Sequence, residues 1–175
     1  DVVSIDCGVV LNGYNGDSAY TFAVGDVSPE TMALLKRTKE SLYKGIEKAS
    51  AGCRLGDIGY AVQSYVEQYG YSVVRELVGH GIGKHLHEEP QVPNYGRRGS
   101  RHKLKEGTVI CIEPMVNLGL KEIIQERDGW TIRTRDGKPS AHFEHAVAVR
   151  KNQCEVLSTF EYIDKVKNEN LKTIN

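Results

Sequence analysis

An α+β fold of antiparallel strands with one block of helices is what this sequence predicts, and three observations carry the prediction. Two dipeptides suited to tight hairpin turns, Asn12-Gly13 and Asp136-Gly137, follow β-rich or extended segments. Helical periodicity is confined to residues 29–69. Beyond about Gly107 the pattern reads as strands only. A length of 175 residues suits one domain, and no repeat, linker or low-complexity tract divides it.

The elements follow in order. Val2 to Leu11 is rich in β-branched residues and reads as a strand, answered by a second from Tyr14 to Val24. Ser28-Pro29 places an N-cap residue before an N1 proline and opens a helix over 29–49, with Leu34, Leu35, Leu42 and Ile46 as its apolar stripe. Gly52 lies just beyond. A second helix is expected over 55–69, with Ile58, Val62, Tyr65 and Tyr69 on one face and Gly70 after its end. Val73-Val74 reads as a short strand. Gly79-His80-Gly81-Ile82-Gly83 reads as a Gly-rich loop, followed by an irregular stretch to about Gly107. Strands are expected at Thr108–Val116, Thr131–Thr134 and Ala141–Arg150.

Composition narrows the function classes. Lys plus Arg equal Asp plus Glu at 23 each, against the basic excess of a dedicated nucleic-acid binder. One local cluster, Arg97, Arg98, Arg101, His102, Lys103 and Lys105, reads as a solvated loop, with phosphate or RNA contact as the alternative. No apolar run approaches the ~18 residues of a membrane span. Cys7, Cys53, Cys111 and Cys154 form no CxxC pair and read as reduced thiols, which points to the cytoplasm. The chain opens inside a strand-like pattern without an initiating Met, so we expect it to be part of a longer protein.

The chemistry lies in acids placed within strand-like runs: Asp6, Glu113 and Glu144. A buried carboxylate is costly unless it is paired, hydrogen-bonded or bound to metal. With Asn12-Gly13 as a two-residue turn, Gly8 faces Asp17 and Asp6 faces Ala19. Asp6 and Asp17 then share one side of the hairpin as diagonal neighbours, roughly 7–8 Å apart. Adjacent carboxylates repel unless a cation lies between them. Adding His80, Glu113 and Glu144 makes a hard, oxygen-rich donor set suited to Mn, Fe, Co or Zn. Five such residues exceed the needs of one four-coordinate ion, and two ions about 3.5–4 Å apart sharing a water or hydroxide fit better.

These segments, with His87-Glu88-Glu89-Pro90, Ile112-Glu113-Pro114-Met115 and Phe143-Glu144-His145, resemble the type I methionine aminopeptidases from Val2 to about Leu157. The resemblance implies the pita-bread fold: a curved antiparallel sheet, with the two helices on its outer face and the acids on its concave side. In an N-terminally incomplete chain, part of that sheet would be uncovered. It implies one catalytic metallopeptidase domain over 1–175, with two divalent ions held by Asp6, Asp17, His80, Glu113 and Glu144. His87 would bind the scissile peptide, and Glu113 would help move the proton. Leu86, where Phe is frequent, and Trp130 would line the substrate pocket, and His142 stands where Gln is common. Another catalytic histidine and much of the methionine pocket would precede Asp1. The implied reaction removes the N-terminal methionine of nascent polypeptides by attack of a metal-bridging hydroxide on the first peptide carbonyl. The enzyme would work near the ribosome in the cytoplasm, and would be a monomer at full length. An X-Pro peptidase of the same fold, or an inactive peptide-binding relative, is the alternative.

Overall fold

A computed structural model describes the backbone of residues 1–173 and the side chains of residues 1–167. β1 (Val2–Asp6) and β2 (Val9–Leu11) run into the Asn12-Gly13 turn, and β3 (Tyr14–Gly16) and β4 (Ala19–Ala23) return from it. Asn12 and Gly13 have φ of 52° and 78°, the positive values this turn requires. The register holds without a slip from Leu11↔Tyr14 to Asp6↔Ala19. Each predicted strand is nevertheless interrupted once, at Cys7-Gly8 and at Asp17-Ser18. Gly8 lies against Leu86: a Cβ there would be 3.3 Å from Leu86 Cδ1.

Helix α1 (Pro29–Ile46) starts where expected, because the Ser28 hydroxyl accepts the Thr31 N–H at 3.2 Å. It ends at Ile46 rather than 49. Helix α2 (Leu55–Glu67) also stops short of the expected 69. Val66 is fully buried while Tyr69 is exposed, so Val66 takes the core position expected of Tyr69. The helices meet closely at Gly45, where a Cβ would lie 3.0 Å from Val62 Cγ2.

β5 (Ser72–Val73) follows the helices. The Gly-rich segment expected to be a loop contains β6 (Gly79–Gly81), an inner strand of a five-stranded sheet. Its glycines admit neighbouring backbone rather than a flexible turn. A Cβ on Gly79 would lie 2.3 Å from the Cys111 carbonyl oxygen, and one on Gly81 would lie 2.2 Å from that of Glu89. Gly79→Ala is therefore expected to destabilise the fold by about 1–3 kcal/mol or more, measured by urea unfolding, since the obstructing atom is backbone and cannot rotate away. β7 (Glu88–Val92) forms within the stretch expected to be irregular. Pro90 disguises it, and β7 tolerates a proline because it is an edge strand.

β8 (Val109–Ile112) and β9 (Met115–Asn117) divide one predicted strand at Glu113-Pro114. After the small hairpin of β10 (Ile123–Gln125) and β11 (Ile132–Thr134), β12 (Ser140–His142) and β13 (His145–Val149) divide another at Phe143-Glu144. The outer halves pair in the sheet β12-β9-β5, and the inner halves in β14-β13-β8-β6-β7, with β14 spanning Cys154–Val156. Pro114 has no N–H to continue a ladder, which suits it to this crossing point. Register runs unshifted from His145↔Ile112 to His142↔Met115, so Glu144 faces Glu113. A third helix, α3 (Glu161–Thr173), overturns the expectation of strands only after Gly107; the buried Phe160 leads into it.

Alternation along the strands separates two faces. Ile110, Ile112, Val147 and Val149 pack with Leu34, Leu42, Ile58 and Val62 of the helices, while Cys111 and Ala146 form a separate cluster with Ile82. The helices thus lie on one side, as expected, and the acids are carried on the other. Among the described residues, no helix is long and apolar enough to cross a membrane.

Candidate metal centre

Three of the five candidate ligands stand at strand interruptions: Asp17 between β3 and β4, Glu113 between β8 and β9, and Glu144 between β12 and β13. The first hairpin is tied to the second by backbone. Glu144 donates its N–H to Ala19 O at 2.9 Å, and Ser18 Oγ donates to Glu144 O at 3.2 Å. These bonds bring Asp17 beside Glu144 across a long separation in sequence. Asp6, Asp17, His80, Glu113 and Glu144 all line one cavity of about 620 Å³, together with His87, Met115 and His142.

The inner part of the centre is buried. Asp17, His80, Glu113 and Glu144 are buried, whereas Asp6 is exposed at the mouth. His80 Nδ1 lies 2.9 Å from the Gly81 carbonyl, an acceptor, which places the ring proton on Nδ1. Nε2 then presents a lone pair toward Asp17 Oδ2 at 3.8 Å and Glu113 Oε1 at 3.5 Å. Acceptors facing acceptors need a cation or a proton between them. Glu144 Oε1 is buried without a hydrogen-bond partner among the described residues. Burial, then the charges of Glu113 and Asp17, push the Glu144 carboxyl up to about 9. Burial and Asp6 likewise raise Asp17, against the opposing influence of His80.

Cys111 is the neighbour of the centre that the sequence reading missed. Ligand atoms of Asp17, His80, Cys111 and Glu144 lie within 4.8 Å of one another. Its position two residues before Glu113, on the same strand face, was the available signal. Burial and then Glu144 raise its thiol above the usual range, so it faces the centre as a neutral thiol. An orphaned carboxylate oxygen, an imidazole lone pair and clustered acids together fit a divalent cation.

The remaining candidates separate. His87 is exposed at the cavity with its ring edge-on to His80, centroids 4.5 Å apart. Leu86, expected on the pocket wall, instead packs with Ile82, Cys111 and Ala146 and does not line the cavity. Trp130, also expected there, is 89% exposed in the turn between β10 and β11. That turn is held by Asp128, which accepts the N–H groups of Trp130 and Thr131 at 2.9 and 2.8 Å, leaving the indole in solvent.

Comparison with known proteins accords with this geometry. Residues 1–151 match metallopeptidase family M24. A methionine aminopeptidase of Clostridium acetobutylicum is 52% identical over 161 residues, covering 92% of this chain and 64% of that relative. The crystal structure of methionine aminopeptidase from Rickettsia prowazekii matches with a TM-score of 0.88 at 46% identity, over 89% of this chain and 63% of that one. Prolidase from Pyrococcus furiosus matches with a TM-score of 0.73 at 25% identity, over 92% and 42% of the two chains. The chain therefore spans just under two thirds of the length of these two methionine aminopeptidases. Its architecture is the expected pita-bread fold, shared by aminopeptidase and prolidase alike. On the family match, the identity and the fold together, the chain belongs to metallopeptidase family M24.

Proposed function

We propose that residues 1–175 form the metal-bearing catalytic domain of a methionine aminopeptidase, a hydrolase that releases the N-terminal methionine of nascent polypeptides. The observation that carries this reading is the convergence of Asp6, Asp17, His80, Glu113 and Glu144 on one cavity with His87 at its rim. Similarity to methionine aminopeptidases at 46–52% identity, against 25% for a prolidase, favours it over X-Pro cleavage. Two divalent ions from among Co, Mn, Fe and Zn would be held by those five residues, Asp17 and Glu144 between them. Ions held there acidify water and polarise a carbonyl. Glu113, at the cavity wall, takes up and passes on the proton. His87 reaches the scissile carbonyl oxygen as negative charge develops on it, and the open mouth beside Asp6 admits the free α-amine. The setting that suits this role is the cytoplasm near the ribosome, acting as a monomer on peptide ends and not on nucleic acid.

The test compares Met-Ala-Ser with an X-Pro peptide on the Mn(II)-loaded chain. Release of methionine, with little cleavage of the X-Pro bond, is the expected result. Preferred X-Pro cleavage would replace the reading with that of a prolidase-like enzyme. Ion and peptide binding without cleavage of either substrate, also in a chain extended to the length of its methionine aminopeptidase relatives, would make the protein a binding relative.

A further inference from the structure

We propose that His142 is a positioning residue for Glu113: it donates Nε2–H to Oε2 and keeps Oε1 turned toward His80 and the metal donors. The inference rests on the metal-centre reading above. Glu113 lies between two imidazoles. His80 Nε2 is 3.5 Å from Oε1, and His142 Nε2 is 3.6 Å from Oε2. The two neighbours differ in chemistry. His80 directs its Nδ1 proton to the Gly81 carbonyl and so offers Glu113 only a lone pair, which a shared cation would satisfy. His142 Nε2 is buried and has no hydrogen-bond partner among the described residues. Its Nε2–H has one nearby carboxylate to serve, and a shift of a few tenths of an ångström closes the bond.

The origin of the imidazole is fixed by its backbone. His142 ends β12, and both its main-chain groups meet one buried hydroxyl: Thr21 Oγ1 accepts its N–H at 2.9 Å and donates to its carbonyl at 2.7 Å. Ser4 Oγ, 2.8 Å from the same hydroxyl, extends the support to β1. A ring held this way at a sheet boundary can orient a carboxylate without touching the ion. Partners of that kind set ligand direction and basicity.

Calorimetric Mn(II) titration of the parent chain, His142→Leu, His142→Gln and His142→Asn tests the proposal. His142→Leu is expected to weaken ion binding about 10–100-fold, and His142→Gln, whose amide N–H has similar reach, to restore it to within about threefold. His142→Asn is polar but too short to reach Glu113, so it should bind as weakly as His142→Leu, and it decides the matter if the Leu variant does not fold. Nitrogen NMR of the parent chain should show the His142 proton on Nε2. Parent-like binding by His142→Leu or His142→Asn, or a proton on Nδ1, would overturn the proposal. If the parent chain binds no Mn(II), the metal-centre reading itself fails and this inference goes with it.

Discussion

A Glu144→Gln chain is expected to be more stable than the parent in the absence of metal, and to bind Mn(II) at least about 100-fold more weakly. Both effects arise from one buried carboxyl, 1% exposed, with an unpartnered oxygen facing Asp17 and Glu113. Its pKa rises on folding from 4.5 to about 9. Between those values the folded chain holds a proton that the unfolded chain has released. Stability linked to Glu144 is therefore full below about pH 4.5 and is lost as pH rises toward 9, with a slope of up to about 1.4 kcal/mol per pH unit. Gln removes that slope while keeping the volume. At pH 8 the variant should gain about 2–4 kcal/mol, after allowing for the poorly bonded amide it introduces. Urea unfolding in chelator at pH 6 and pH 8 measures this. Equal pH slopes for the two chains would contradict it. Added Mn(II) should stabilise the parent and leave the variant nearly unmoved, because ion binding and protonation compete for the same oxygens.

His87→Ala is expected to keep its ions and lose its chemistry. The ring is exposed at the cavity and is not among the five residues proposed to hold the ions, so on that reading its removal takes away no donor. Ion affinity should stay within about threefold of the parent, since no directly coordinating group is lost and the edge-on contact with the His80 ring carries no hydrogen bond. On the function proposed above, kcat of the full-length enzyme on methionyl peptides should fall by about 10²–10³, or roughly 2.7–4 kcal/mol, the usual cost of removing one donor to a developing oxyanion. Calorimetry and steady-state kinetics on the same preparation separate the two effects. Loss of Mn(II) binding in His87→Ala would make His87 a ligand and dissolve this division of roles.

Much of this molecule follows from short-range rules that a reader can apply to the letters alone. Asn12-Gly13 sets the first register because both residues reach positive φ, and that register puts Asp6 and Asp17 on one side. Ser28 and Pro29 start α1 through the orphan N–H groups of a first helical turn. Acids inside apolar runs pointed to Asp6, Glu113 and Glu144; the desolvation argument holds for buried Glu113 and Glu144, whereas Asp6 is exposed. The failures involve neighbours distant in the chain. Gly79 and Gly81 read as a loop, yet they permit strand contact with Cys111 and Glu89. Pro90 lies in a stretch that read as irregular, and its place at a sheet edge is what lets it sit in a strand. Cys111 read only as one of four reduced thiols, until pairing brought His80 and Glu144 beside it. Trp130 was expected in the pocket, but the Asp128 turn directs it to solvent. Turn type, capping and periodicity depend on a few adjacent torsions, so sequence alone determined them. Which sheet a strand joins, and which cavity a side chain enters, depend on bonds such as Glu144 N–H to Ala19 O; only the tertiary structure decides them, because their partners meet by closing the long loops between them.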